Sequence, residues 1–209
     1  MKKIFLITCI VLCTAALQAQ PGTISLNLDG GYTFGDNVNF DLASANVEAA
    51  FQYGGGIEYF SDFNKSFELK YSRMDTHMPL YDRSGDPFNE DNPNPKGAVN
   101  YILAGGNNYF GNDPDAKARP YFGLGLGVGW LNVDGNSSTA KFAWDAKLGV
   151  KIKTSSVVSI KLQAYLQSIV STWGSDAYYS YYGTVYYAPD YVTLWQFGLG
   201  GVLCFDFKR

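Results

Sequence analysis

An all-β chain, closed as an eight-stranded antiparallel up-and-down β-barrel across a membrane, is the fold this sequence predicts. Three observations predict it: an export signal at the start, a period-two apolar and polar alternation recurring eight times, and connections that alternate short and long. The alternation is clearest from Phe142 to Lys153. There Phe142, Trp144, Ala146, Leu148, Val150 and Ile152 share one face, while Lys141, Asp145, Lys147, Lys151 and Lys153 share the other. Successive strand side chains point to opposite faces, so such a segment is oily on one side and charged on the other. A membrane barrel turns the oily side to lipid and the charged side to its lumen.

The first element is a secretory signal over residues 1–19, leaving 20–209 as the barrel domain. Lys2 and Lys3 make a basic start, Ile4 to Leu12 is apolar, and Leu17-Gln18-Ala19 offers a small residue for cleavage. The apolar stretch is much shorter than the roughly 20 residues a spanning helix needs. Cys9 and Cys13 fall inside the signal without the small residues of a lipoprotein site, so lipidation is not expected. Cys204 alone remains, and no intramolecular disulfide can form.

The mature chain of about 190 residues fits one domain. Its 16 Tyr, 14 Phe and 23 Gly leave few runs of helix formers. A mean hydropathy of −0.11 excludes a helical membrane bundle but suits a barrel, whose alternate residues cancel. Without Lys2 and Lys3, 14 basic residues stand against 19 acidic ones. That balance of −5 argues against a nucleic-acid partner, which needs a basic face.

Eight outward-facing sets follow in order. They are Ile24, Leu26, Leu28, Gly30, Tyr32, Phe34; then Phe51, Tyr53, Gly55, Ile57, Tyr59; then Phe67, Leu69, Tyr71. The fourth is Val99, Tyr101, Leu103, Gly105, Asn107, Tyr109, and the fifth Phe122, Leu124, Leu126, Val128, Trp130. Phe142 to Ile152 is the sixth, and Val158, Ile160, Leu162, Ala164, Leu166 the seventh. Trp195, Phe197, Leu199, Gly201, Leu203, Phe205, Phe207 close the series. Most match the roughly 9–11 residues that a tilted strand needs to cross a bilayer.

Charge respects this register. The opposite faces carry Asp29, Glu58, Glu68, Lys70, Lys141, Asp145, Lys147, Lys151, Lys153, Lys161 and Asp206, whereas the outward faces carry only Arg73, at a strand end. A lysine facing lipid at mid-bilayer costs about 2–4 kcal/mol. The links around Ser61–Lys65, Gly111–Arg119 and Thr154–Ser156 are short; those around 35–49, 75–97, 132–140 and 171–190 are mostly longer. Short periplasmic turns and long external loops are the expected asymmetry, and an even strand count returns both ends to the periplasm. Under that topology Tyr59, Phe67, Tyr109, Phe122, Phe205 and Phe207 form a periplasmic aromatic girdle. Phe34, Phe51, Tyr53, Tyr71, Tyr101, Trp130, Phe142, Trp144 and Trp195 form the outer one.

From Thr23 to Phe207 the chain resembles the small eight-stranded outer-membrane barrels of the OmpA/OmpX type. The terminal run Trp195 to Phe207 resembles that family's assembly signal, with Phe205 and Phe207 as its aromatic residues, although Lys208 and Arg209 follow. The resemblance implies residence in the outer membrane of a Gram-negative cell, contact with its lipid and lipopolysaccharide, and delivery by the barrel-assembly machinery. No long periplasmic domain is expected after the barrel, so the resemblance does not imply peptidoglycan anchoring of the OmpA kind.

Eight strands enclose an interior just wide enough for side chains to fill. Inward Asp29, Glu58, Glu68, Asp145 and Asp206 nearly balance Lys70, Lys147, Lys151 and Lys161, which points to a salt-bridge plug. The alternative is a narrow porin-like conduit for small solutes, because Gly123, Gly125, Gly127 and Gly129 bare one inner face. In the last long loop Tyr178, Tyr179, Tyr181, Tyr182, Tyr186, Tyr187 and Tyr191 offer rigid, amphipathic contact area for an extracellular protein or glycan. The same tyrosines equally suit a hairpin extending above the membrane.

Asp75, Asp82, Asp86, Glu90 and Asp91 with Pro79, Pro87, Pro93 and Pro95 read as a solvated loop. They lack EF-hand spacing, and no metal or cofactor is expected. A lipid A-modifying enzyme would need a histidine with a serine and an acid at the outer rim. His77 is the sole histidine, near Ser72, Asp75 and Ser84, and no motif sets a triad. The expectation is a monomeric, non-enzymatic outer-membrane barrel with an envelope-structural or surface-contact role.

Overall fold

Residues of alternating polarity cannot bury one face in a helix, and here they form long strands, each hydrogen-bonded to the next. The computed structural model describes residues 22–39, 43–82, 84–87, 91–111, 113, 116–133, 136–171 and 192–207. In chain order the strands are β1 (Ile24–Thr33), β2 (Asp36–Asn39), β3 (Ala43–Val47), β4 (Ala50–Asp62), β5 (Lys65–His77) and β6 (Leu80–Asp82). Then come β7 (Lys96–Tyr109), β8 (Ala118–Val133), β9 (Asn136–Ser137), β10 (Lys141–Lys153), β11 (Val158–Ser171) and β12 (Val192–Phe207).

The barrel is β1-β4-β5-β7-β8-β10-β11-β12, every pair antiparallel. It closes where β1 meets β12, with Ile24 opposite Phe207 and Thr33 opposite Gly198. Closure leaves no barrel edge exposed to lipid, which is the condition for a sheet to exist in a bilayer. A 13-residue strand at about 3.3 Å per residue and a tilt of about 40° rises roughly 33 Å, enough for the apolar band of an outer-membrane barrel.

Three tight connections share one end. Phe63 and Asn64 join β4 to β5, with the Ser61 hydroxyl donating to Lys65 O at 3.3 Å. Between β10 and β11, Ser155 Oγ accepts the amide of Val158 at 3.0 Å. The turn from β7 to β8 passes through Gly111, whose φ of 121° suits glycine and strains other residues. The opposite end carries the long connections. Residues 35–49, expected as a loop, instead form the β2–β3 hairpin, which β6 extends into a three-stranded sheet. Trp195 N donates to Asp36 Oδ2 at 2.8 Å and Glu48 N to His77 O at 3.1 Å, tying this sheet to the barrel rim.

The outer wall is oily. Leu28, Phe51, Ile57, Phe67, Leu69, Leu126, Leu148, Leu162 and Leu199 are all more than half exposed. A monomer dissolved in water rarely shows so large an apolar belt; lipid is the solvent that covers it. Aromatic pairs mark the outer rim, among them Phe34–Phe197 with ring centroids 5.7 Å apart and Trp144–Trp195 at 5.4 Å.

One strand departs from expectation. In β7 the expected outward set Val99, Tyr101, Leu103, Gly105, Asn107 and Tyr109 faces inward. Val99, Tyr101, Leu103 and Tyr109 are at most 1 % exposed, while Ile102 is 43 % exposed. Tyr101 and Tyr109 therefore leave the girdles and pack in the lumen. The inversion has a physical cause: the upper lumen is itself apolar, so oiliness does not identify the lipid face there. Gly105-Gly106 and Asn107-Asn108 repeat one residue type on both faces and give no correction.

Candidate functional site

The interior is the most structured part of the molecule, and it is stratified. At the short-turn end Arg119 donates to Phe63 O at 2.8 Å and to Asn64 Oδ1 at 2.7 Å. Its guanidinium lies 4.0 Å from the Phe63 ring centroid and 5.2 Å from that of Tyr109. Tyr109 in turn packs on Tyr121, centroids 5.3 Å apart. Beside them Lys151 pairs with Asp206 at 2.8 Å, and Ser159 donates to the same carboxylate.

The ionic stratum comes next. Lys161 pairs with Glu58 at 2.6 Å and Lys70 with Asp145 at 2.6 Å, and Lys147 pairs with Glu68. Each of these side chains is at most 7 % exposed. Two buried carboxylates so close require further donors to offset their desolvation. Glu58 accepts from Ser66 Oγ at 2.5 Å, Tyr109 Oη at 2.7 Å, Asn107 Nδ2 at 2.8 Å and Asn27 Nδ2 at 3.3 Å. Glu68 accepts from Asn27 Nδ2 at 2.9 Å.

Four of the five expected inward acids are thus each matched to a lysine. Asp29 is the odd one, with Oδ2 buried and no hydrogen-bond partner among the described residues. The bare inner face of β8 has a steric role. A Cβ at Gly123 would run into Asn107 Oδ1, and one at Gly125 into Asp145 Oδ1. The space these glycines leave is occupied by the charged network.

Above the ions lies an amide stratum. Gln167 donates to Gln52 Oε1 at 2.7 Å and to Gln196 Oε1 at 3.1 Å, Tyr101 donates to Gln196 Oε1 at 2.7 Å, and Thr33 Oγ1 lies 2.8 Å from Tyr165 Oη. Val47, Met74, Met78, Val99, Tyr101, Leu103, Ala143, Ile169 and Leu194 then form an apolar cap at the long-loop end. Gln52, Gln167 and Gln196 were not among the expected lumen residues. Their alternation with apolar neighbours carried the signal, but uncharged amides do not stand out as lysines do.

Residues named for an enzyme engage other partners. His77 Nδ1 lies 3.6 Å from Glu48 Oε2, while Asp75 binds Arg73 Nε at 2.8 Å and Tyr53 Oη at 2.7 Å. Ser72 is buried in the lumen, and Ser84 Oγ donates to Asp82 Oδ1 at 2.7 Å. Asp82 also accepts the amides of Ser84 and Asp86, each at 2.9 Å, in a turn whose Gly85 has φ 89°. The Ser84 hydroxyl and these amides hold its carboxyl below the usual carboxylate range. Among the described residues no group of three or more His, Cys, Asp or Glu is placed to hold a metal ion.

Phe205 and Phe207 sit on β12 opposite Leu26 and Ile24, at the seam that closes the barrel. The export signal, the tyrosines at 178, 179, 181, 182, 186 and 187, and Lys208 and Arg209 lie outside the described residues.

A closed eight-stranded barrel with an oily outer wall and a charged interior is an outer-membrane β-barrel, and its belt places the chain in a bilayer. Comparison with solved structures finds the same fold. The crystal structure of Neisserial surface protein A (NspA) superimposes with a TM-score of 0.59 at 16 % identity, over 89 % of this chain and 99 % of that one. The outer membrane protein OprG from Pseudomonas aeruginosa superimposes with a TM-score of 0.61 at 11 % identity, over 89 % and 97 %. No family model matches the chain, and no match is found among curated proteins. At such identities the likeness is one of fold.

Proposed function

We propose that this protein is a closed, monomeric and non-enzymatic outer-membrane scaffold whose work is done at its surface, in envelope structure and external contact. One observation carries this reading: every level of the lumen is filled, by a cation–aromatic base, paired ions, bonded amides and an apolar cap. Ion passage would require the Lys161–Glu58 and Lys147–Glu68 pairs to part within a low-dielectric interior, which costs several kcal/mol. The β2-β3-β6 sheet at the long-loop end supports a contact role, because it forms a hydrogen-bonded platform at that rim. The last strand, ending on Phe205 and Phe207, serves as the signal read by the barrel-assembly machinery.

Planar-bilayer recording of the folded protein tests the closed lumen; the expected trace has no steps above the lipid baseline. Reproducible, ion-selective conductance steps would overturn it in favour of the porin-like alternative. Cells displaying the protein should adhere to immobilised glycan or matrix-protein surfaces and lose adhesion when residues 172–191 are replaced by a short Gly-Ser linker.

A further inference from the structure

A concavity lies outside the lumen, on the barrel's outer wall at the long-loop rim. Its volume is about 550 Å³, within the range of small-molecule sites. Its polar lining includes Glu48, Arg73, Asp75, His77, Lys96 and Asn132, over a floor that includes Gly97 and Ala98. The strand register explains the arrangement. Asp75, Ala98 and Asn132 form one row across β5, β7 and β8, and His77 stands opposite Lys96 in the row above. Small residues in the middle strand leave the hollow between charged walls.

Depth in the membrane narrows the occupant. In the rows just below, Tyr53 and Tyr71 are 44 % and 40 % exposed, and Tyr71 packs near Trp130 with centroids 6.4 Å apart. Aromatic residues of this kind mark the headgroup level. The hollow directly above them therefore opens among the headgroups of the outer leaflet.

The unmet chemistry narrows it further. Asp75 is engaged by Arg73 and Tyr53, and Glu48 lies beside His77. Lys96 has no acidic partner among the described residues and is exposed. Asn132 Oδ1 is buried in the hollow's wall without a donor among the described residues. One row below, Asn100 is 1 % exposed between Tyr71 and Trp130. Its Oδ1 accepts from Tyr71 Oη at 2.9 Å, yet its Nδ2 has no acceptor among the described residues. The vacant roles are an anion for Lys96 and a hydroxyl or amine donor for Asn132. An acyl chain supplies neither, and a bare anion supplies only the first.

We propose that this rim hollow binds the phosphorylated sugar headgroup of an outer-leaflet glycolipid, with Lys96 and Arg73 facing the phosphate and Asn132 accepting from a sugar hydroxyl. The proposal rests on the outer-membrane placement and extends it from general lipid contact to a defined site. His77 provides the readout, because it is the only histidine in the chain and its imidazole gives one assignable NMR signal set.

The test uses the folded protein in phosphatidylcholine nanodiscs, titrated with lipid A, with enzymatically dephosphorylated lipid A, or with free glucosamine 1-phosphate. Lipid A is expected to shift the His77 signals saturably and the other two are not. Lys96→Glu should weaken the lipid A response by about tenfold or more, as loss and reversal of a charge-assisted contact implies. Lys65→Glu, at the opposite end of β5, should leave it unchanged.

An equal response to dephosphorylated lipid A, or an unchanged response in Lys96→Glu, overturns the proposal. A response to glucosamine 1-phosphate without one to lipid A overturns the lipid source. The two readings fail separately. A barrel that stays closed yet ignores lipid A refutes only the site, and one that conducts yet binds lipid A refutes only the closed scaffold.

Discussion

Replacing Lys161 by Met tests the ionic stratum at its most buried point. Lys161 is 2 % exposed and its partner Glu58 is fully buried. The substitution keeps roughly the length and apolar stem of the side chain and removes the ammonium. Glu58 retains neutral donors from Ser66, Asn107, Tyr109 and Asn27, but five inward carboxyls would then face three lysines. One charge-assisted hydrogen bond contributes about 1.5–3 kcal/mol. Adding the cost of an uncompensated buried charge brings the expected loss to about 3–5 kcal/mol. Urea unfolding in lipid vesicles, followed by tryptophan fluorescence and by heat-modifiable gel migration, measures it. Lys151→Met provides the contrast, because its pair with Asp206 is 14–16 % exposed at the periplasmic mouth. That variant should lose about 1 kcal/mol or less, the scale of a wetter pair. The double variant Glu58→Gln/Lys161→Met should recover part of the loss, since the glutamine carbonyl still accepts from its neutral neighbours. If Lys161→Met unfolds at the wild-type midpoint, or no earlier than Lys151→Met, the paired-ion account of the lumen is wrong.

Two further outcomes follow from the register and the outer turn. With Cys204→Ser as background, a spin label at Ile102→Cys should be relaxed strongly by oxygen dissolved in lipid, and one at Leu103→Cys should not; the reverse result would restore the β7 register expected from the sequence, with Leu103 facing lipid. Asp82 has its folded-state carboxyl lowered by the Ser84 hydroxyl and the Ser84 and Asp86 amides. Its contribution is therefore present above the unfolded carboxylate range and is lost as pH falls through the depressed value. Acid titration should move the Ser84 and Asp86 amide NMR signals together while the barrel's heat-modifiable migration is unchanged, and signals that stay fixed through the whole acid range would refute it.

The barrel was legible because lipid and lumen impose opposite demands on alternate residues, and charge reveals which side is which. β10 shows this directly, since its lysines and Asp145 leave one consistent register. β7 shows the limit. It carries no charge after Lys96, so the rule that oily residues face lipid had nothing to oppose it. The structure sends Tyr101 to Gln196 and Tyr109 to Glu58, contacts between strands distant in sequence that no local window contains. The β2–β3 hairpin was hidden for a related reason: its strands are four and five residues long, and β6, its partner in the sheet, lies far along the chain. The rim hollow was illegible as well, because Glu48, Asp75, Lys96 and Asn132 come from four separate segments that only the barrel register aligns.

The filling of the lumen also bears on where function can reside. Glycines on β8 were compatible with an open path, because a bare strand face widens an eight-stranded barrel. Their geometry instead makes them the counterpart of large polar groups: Gly123 admits Asn107 and Lys147, and Gly125 admits Asp145. A passage through this interior would have to displace groups that satisfy one another, so small changes in one side chain would expose charge rather than open a pore. The outer rim has the opposite character. There Lys96, Asn132 and Asn100 carry bonding capacity that no other described residue uses. The filled interior is what the proposed closed scaffold rests on, and the unmet polar groups at headgroup depth are what the proposed rim site rests on.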